Sequence, residues 1–246
     1  MIGRATDIDL DYIKEWLRAE HAKFGKGFWV NWSIIERTHY EGDLIVLREQ
    51  SNAVAFHTEG ETLNRNSVLA VHPEKRGQGL GTTLASYIIS KARNADEVVL
   101  EIECAPDTSK PFWNSLGFQL MPDDFFGYGS DFAYLPLEKT LMLPTDGTSV
   151  SVTVRYFDDH SPRLLQQYQL QGRRLNDGTI ALERRVIGFS KPTSSDVGVE
   201  IDIDGQPFLR RNRAKYLEAF GFVRTDNAFY LDSIKPVGPG SRFTLS

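Results

Sequence analysis

Apolar residues recur along this chain with two different periods, and each change of period marks an element. Behind the capping sequence "TDID" (Thr6–Asp9), Leu10, Ile13 and Leu17 return at helical spacing and predict a helix to about Glu20. "FGKGFWVNW" (Phe24–Trp32) is broken by glycines and rich in aromatics, so it reads as a loop leading into a second helix over Ser33–Tyr40. The period then shortens: "DLIVLREQ", "AVAFHTE" and "NSVLAV" read as strands set apart by turn residues. Helical spacing returns over Thr82–Arg93, with Leu84, Ala85, Ile88 and Ile89 on one side. "EVVLEIEC" (Glu97–Cys104) is a strand, Ser109–Leu116 a short helix stopped by Gly117, and "DFAYLPLE" a closing strand.

After "LPTDGTS" (Leu143–Ser149), which reads as a linker, the pattern is mostly of strand type. "VSVTVRYF" is followed by a hairpin turning at Asn176-Asp177-Gly178, then by "VGVEIDIDG", a helix over "PFLRRNRAKYLEAFGF" and a last strand "AFYLDSI". The expected class is α+β (α/β): residues 1–142 form a mixed central sheet with flanking helices, and 146–246 a smaller α+β accessory domain. "VVLEIEC…FWNSLGF…FAYL" is echoed by "VGVEIDI…KYLEAFGF…AFYL", which would make the second domain a degenerate copy of half of the first. Glu101 to Gly117 spans 16 positions and Glu200 to Gly221 spans 21, and that mismatch favours coincidence.

Composition changes this picture little. The 246 residues are 41% hydrophobic and 25% charged, as in an ordinary globular protein, and no apolar run suits a membrane span. The acidic, amphipathic start is not a secretory signal, and a single cysteine, Cys104, excludes an intramolecular disulfide or a cysteine-built zinc site, so a cytoplasmic protein without a metal is expected. Charge is uneven. Residues 1–140 carry 14 Lys+Arg against 21 Asp+Glu, whereas the rest carry 14 against 12. The acidic first part suits a cationic partner. The arginine pairs of the second part (Arg173-Arg174, Arg184-Arg185, Arg210-Arg211) are either solvated surface or phosphate contacts.

The candidate chemistry lies in "VHPEKRGQGLGTTL" (Val71–Leu84). Gly77, Gly79 and Gly81 alternate between the end of a strand and the start of a helix. Free backbone amides and the positive end of a helix dipole at such a junction bind phosphate. The lysine of a P-loop is missing after Gly81, and the spacing G-x-G-x-G is not the dinucleotide fingerprint G-x-G-x-x-G. The stretch does fit [QR]-x-x-G-x-[GA], filled by Arg76, Gly79 and Gly81.

With its preceding strand "VLAV", the following apolar helix, "EVVLEIEC" and "FWNSLGF" in order, residues 1–140 resemble the GNAT N-acetyltransferase superfamily. The resemblance implies an acetyl-CoA-dependent N-acetyltransferase acting on a primary amine of a small molecule or protein. It implies a sheet of GNAT type and coenzyme A as co-substrate. The amides of Gln78, Gly79, Leu80, Gly81 and Thr82, with Gly77 allowing close approach, would wrap the pyrophosphate. Arg76 would add charge, and the backbone at Ala70 and Val71 would pair with the pantetheine arm.

The family often carries a tyrosine as general acid where this chain has Trp113, which has only an N–H donor. Tyr128 and Tyr134 are alternatives. The base in this family is commonly a carboxylate or histidine. Glu101 and Glu103 lie two apart on one strand, and are either a base with a raised pKa or a salt-bridged or solvent-exposed pair. His57 and His72 read as core or surface histidines, and Cys104 as a buried apolar side chain. Phe28, Trp29 and Trp32 either line the acceptor pocket or belong to the core. Trp113 keeps a second class open, a catalytically weak acyl-CoA-binding regulator or interaction protein. The arginines keep open an acetyltransferase acting on an RNA-borne amine, and a homodimer is compatible with either.

Overall fold

The computed structural model describes residues 1–60, 63–64, 66–121, 132–158, 162–189, 197–225 and 228–236. The chain divides into two compact units, Met1–Leu135 and Pro136–Ser246. The first runs β1 (Ile2–Arg4), α1 (Asp7–Phe24), α2 (Trp32–Glu41), β2 (Ile45–Glu49), β3 (Asn52–His57), β4 (Leu69–Val71), α3 (Leu80–Asn94), β5 (Val99–Glu103), α4 (Lys110–Ser115), β6 (Gln119–Leu120) and β7 (Phe132–Pro136). β1-β2-β3-β4 form an antiparallel sheet, and β5-β7-β6 form a second sheet in which β6 and β7 are antiparallel.

Local chemistry sets these limits. Thr6 caps α1 through a reciprocal box: its backbone N–H donates to Asp9 Oδ2 at 2.7 Å, and the Asp9 N–H donates to Thr6 Oγ1 at 3.4 Å. α1 outruns its expected end at Glu20 by a full turn and stops at Gly25, whose φ of 65° suits glycine. Leu10, Ile13 and Leu17 pack with Ile35, Val46, Phe56 and Ala70 into one core. Arg48 of β2 ties α1 to the sheet, with Nη2 at 2.6 Å from Asp9 Oδ2. Burial pushes the Asp9 carboxyl up, but the hydrogen bonds from Arg48 and Thr6 outweigh it and hold the pKa below its ordinary value. β1 was not foreseen. Its three residues are too few to carry a period and are defined by pairing Ile2 with Leu47.

The second unit contains β8 (Thr148–Asp158), β9 (Leu164–Arg174), β10 (Ile180–Phe189), β11 (Val197–Ile203), β12 (Gln206–Arg213), β13 (Val223–Arg224) and β14 (Ala228–Ile234). They make a seven-stranded sheet in the order β12-β11-β8-β9-β10-β14-β13, antiparallel throughout. Val150, Val152, Val154 and Tyr156 alternate inward from β8 and meet Leu170, Val199, Ile201 and Phe229. The expected hairpin is present, with Gly178 at φ 85° and Ile180 paired to Arg174.

The helix expected over "PFLRRNRAKYLEAFGF" is not. Asp204 and Gly205, at φ 52° and 73°, make a two-residue turn that sends the chain back along β11 as β12, with Ile203 paired to Gln206. The turn sets β11 beside these residues, pairing overrides their helical propensity, and of helical structure the segment keeps the 3₁₀ turns Ala214–Tyr216 and Glu218–Phe220. The internal echo therefore does not become a second strand-helix-strand unit among the described residues.

Candidate active site

β4 ends at Val71, and His72 opens a 3₁₀ turn (Pro73–Lys75) by accepting the Glu74 N–H on Nδ1 at 3.3 Å. The glycine run follows. Gly77 and Gly79 have φ of 78° and 79°, which glycine adopts without strain, and a Cβ on either would meet nothing within 4 Å. Gly81 differs. It lies inside α3, and a Cβ there would touch Phe112 and Val71 at 3.4 Å. Gly79 caps α3 without any side-chain acceptor, and the first backbone bond of the helix is Thr83 N–H to Gly79 O at 2.9 Å. The amides of Leu80, Gly81 and Thr82 thus have no intrahelical acceptor and point out of the positive end of a 15-residue helix. The Gln78 side chain turns away, donating to Glu74 O at 3.3 Å. The loop is an open cradle of amides of the kind that holds pyrophosphate.

Among the described residues β4 is an edge strand of its sheet. Val68 O accepts from Thr58 N–H, and His72 N–H donates to Val54 O, so alternate residues from Val68 to His72 turn their backbone groups toward β3. Ala70, opposite Phe56, is among them. The backbone groups that face away from β3 belong to Leu69 and Val71, whereas those of Ala70, one of the two residues named from the sequence, turn to β3. The Val71 carbonyl is already engaged: Arg76 Nε donates to it at 3.0 Å. Arg76 Nη2 also lies 2.7 Å from Glu20 Oε1, so its head group rests on a carboxylate of α1.

Tyr12, Trp16 and Glu20 form one row of α1, four residues apart. The His72 ring stacks on Tyr12 at 6.1 Å and tilts against Trp16 at 5.5 Å. Burial lowers the His72 pKa, with Glu74 and Glu20 pulling against that and Arg76 and Lys75 adding to it. Glu20 was missed in the sequence. The signal for it was a carboxylate continuing an apolar helical row. Phe28, Trp29 and Trp32 are half-buried against the α1 core. Trp29 and Trp32 stack at 5.5 Å, and each is faced by a cation of α1, Arg18 over Trp29 and Lys14 over Trp32. The cation-holding capacity foreseen for these rings is taken up, on those faces, by the chain itself.

Glu101 and Glu103 share a strand but not an environment. Leu100, Glu101 and Ile102 are all buried, so β5 is covered on both faces, whereas Glu103 is exposed at its end. His57 is wholly buried on β3, with Nδ1 at 3.3 Å from Gly60 O, and desolvation lowers its pKa to about 4. It is neutral at pH 7. Cys104 is buried, as expected. Trp113 is 7% exposed and packs edge-on against Phe112 and Phe118, a core position. The Tyr134 hydroxyl donates to Gln119 Oε1 at 3.1 Å, and burial raises its pKa. Tyr128 lies outside the described residues. Among the described residues no group of three His, Cys, Asp or Glu could hold a metal, and no helix is long and apolar enough to cross a membrane.

Residues 11–141, more than half of the chain, match the sequence model of the acetyltransferase (GNAT) domain, and the chain belongs to that family of acetyl-CoA-dependent acetyltransferases. Solved structures give distant likenesses. A ribosomal-protein-alanine N-acetyltransferase from Brucella melitensis is 19% identical over 55% of this chain and 96% of its own, with a TM-score of 0.39. A putative acetyltransferase from Salmonella typhimurium, solved with acetyl-CoA, is 21% identical over 59% and 98%, at 0.41. N-acetylglutamate synthase from Neisseria gonorrhoeae, solved with coenzyme A and N-acetyl-glutamate, is 18% identical over 56% and 35%, at 0.42. No curated protein matches the chain.

Proposed function

We propose that this chain is an N-acetyltransferase that moves an acetyl group from acetyl-CoA to a primary amine of a small molecule or protein. The observation that carries the reading is the uncapped amide row at Leu80, Gly81 and Thr82, entered through Gly77 and Gly79 and set at the end of the open-edged strand β4. In this reading those amides, with Gln78 and Gly79, hold the pyrophosphate. The pantetheine arm adds to the outer edge of β4 through Val71 and Leu69, which aligns the thioester by backbone bonds alone. Acetyl-CoA supplies the activated acyl group. The chain binds it, orients it and removes a proton from the attacking ammonium.

Glu103 is the better placed of the two β5 carboxylates to exchange that proton with water, being exposed at the strand end, while Glu101 lies buried two residues behind it. Phe28, Trp29 and Trp32 form the aromatic wall of the acceptor side. Trp113 cannot protonate the leaving thiolate, so that proton comes from water or from a hydroxyl elsewhere. The same observation favours a second reading, an acyl-CoA-binding module with little transfer activity.

The experiment is coenzyme A release from acetyl-CoA with a panel of primary amines, with the acetylated product weighed by mass spectrometry. Turnover is expected in the wild type. Glu103→Gln should lower kcat by about 100-fold with acetyl-CoA affinity kept, and Glu101→Gln is its paired control. Binding of acetyl-CoA with no acetylated product from any amine would move the assignment to the second reading.

A further inference from the structure

Glu20 has a feature that a structural ion pair does not need. Its side chain is 6% exposed, and only one of its oxygens is used, Oε1 with Arg76 Nη2 at 2.7 Å. Oε2 is buried without a hydrogen-bond partner. The backbone of Gly27 lies over it: a Cβ at that position would stand 3.1 Å from both Cδ and Oε2, and Gly27 has a φ of 107°. Gly27 opens the turn that carries Phe28 and Trp29. A buried carboxylate oxygen with no partner is costly and calls for a donor.

The resting partner, Arg76, is in turn held where the donor substrate would lie. It covers the Val71 carbonyl on the open edge of β4 while its side chain remains 50% exposed. An arm pairing with Val71 competes with the Arg76 Nε for that carbonyl, and a pyrophosphate at the loop offers the guanidinium a stronger, doubly hydrogen-bonded site. Glu20 then loses its counter-charge while staying buried under Gly27.

We propose that Glu20 is the carboxylate that receives the ammonium of the acceptor, and that Arg76 is its placeholder until the donor binds. This rests on the acetyltransferase reading and deepens it. The acceptor is then cationic on arrival, and the chain exchanges one cation for another at Glu20 as Arg76 passes to the phosphates.

The test uses the full chain with Glu20→Gln, Arg76→Gln and the double variant, each checked for folding by circular dichroism. Coenzyme A is titrated by calorimetry. Freed of its carboxylate, Arg76 should bind phosphate better, so Glu20→Gln should tighten coenzyme A roughly three- to five-fold. Arg76→Gln should weaken it, and in the double variant the gain should vanish. Steady-state kinetics with spermidine, agmatine, lysine methyl ester and an alanyl tripeptide then read the acceptor. Glu20→Gln should raise the KM of the amine that is used by at least about tenfold without raising that of acetyl-CoA. An amine KM within two-fold of wild type, or coenzyme A binding no tighter in Glu20→Gln, overturns the proposal while leaving the acetyltransferase reading in place. Failure of the wild type to bind coenzyme A overturns both.

Discussion

Two regions of this molecule invite the same ligand, phosphate, and they are built in opposite ways. The glycine loop of the first unit carries little charge, and its backbone amides at Leu80, Gly81 and Thr82 have no intrahelical acceptor. Several arginines on the strands of the second unit already have partners for their head groups. Arg173 donates to the carbonyls of Thr145 and Gly147 at 3.4 and 3.2 Å. Arg211 donates to Asp158 O at 2.7 Å and lies over the Phe157 ring. Arg184 covers Tyr168, and Arg185, 3% exposed, grips Asp232 at 2.8 Å. Formal charge would rank the second region first, whereas backbone donors that lack an intrahelical acceptor and face open space rank the glycine loop first. The latter is the better guide, because a ligand is held by groups that have nothing else to bond.

The largest effect expected from this contrast is at Gly79. Gly79→Glu places a carboxylate in the open space before the amide row and forces a non-glycine residue to φ 79°. Acetyl-CoA binding measured by calorimetry should fall by at least about 100-fold, since charge repulsion and lost backbone bonds act together. Unchanged affinity in a folded variant would remove the loop from the site and level the contrast between the two regions.

The units should also part in their response to pH. His57, in the first, has a folded pKa of about 4 because burial opposes its charge. Between its ordinary value near 6.5 and about 4 the unfolded chain binds the proton and the folded one does not. Stability is thus full above about pH 6.5 and falls as the pH drops, by up to about 3 kcal/mol. Tyr156, in the second unit, is pushed the other way. Complete burial, with Tyr168 beside it, raises its pKa well above the ordinary value of 10, so stability is full below pH 10 and is lost as the pH rises past it. All four tryptophans (Trp16, Trp29, Trp32 and Trp113) lie in the first unit, so their fluorescence reports its unfolding alone. Urea midpoints followed by tryptophan should drop between pH 6.5 and 4, and His57→Gln should flatten that slope. Above pH 10 the second unit should fail first, read as a loss of far-ultraviolet circular dichroism that precedes any change in tryptophan fluorescence. Parallel loss of both signals at acid and alkaline pH would defeat the distinction.

What could be read beforehand follows from how local each cause is. The cap at Thr6, the α3 row and the glycine loop are fixed by residues within a few positions of one another, and all three form where the pattern places them. The Asn176-Asp177-Gly178 turn is equally local. Failures came where distant residues decide. β1 exists only because β2 accepts it. β12 is the exception: its cause is local, since Asp204-Gly205 just before it returns the chain to β11, and the helical look of the following residues masked that turn signal. At the site, the spacing of Glu101 and Glu103 foretold a shared face but not that one would be buried and the other exposed. The link from Glu20 to Arg76 joins positions 56 apart: the helical row of Tyr12 and Trp16 hints that Glu20 turns inward, but nothing in either segment names its partner.

The smallest effect concerns the arginines. Full-length protein would be titrated with tRNA and with duplex DNA at two salt concentrations, alongside Arg173→Ala/Arg174→Ala. Arginine contacts to phosphate release counterions, so a true nucleic-acid surface would weaken steeply with salt and lose part of that slope in the variant. The Arg173 head group instead satisfies the chain where it rounds Thr145 and Gly147, and the protein is net negative by 5. Binding should stay at a nonspecific level, and the double variant should differ from wild type by no more than about two-fold. Tight binding that falls steeply with salt and depends on these two arginines would show that an arginine already held by the chain, as Arg173 is, can re-form its contacts on phosphate. It would also move the acceptor toward an RNA-borne amine and reverse the order in which the two regions were ranked.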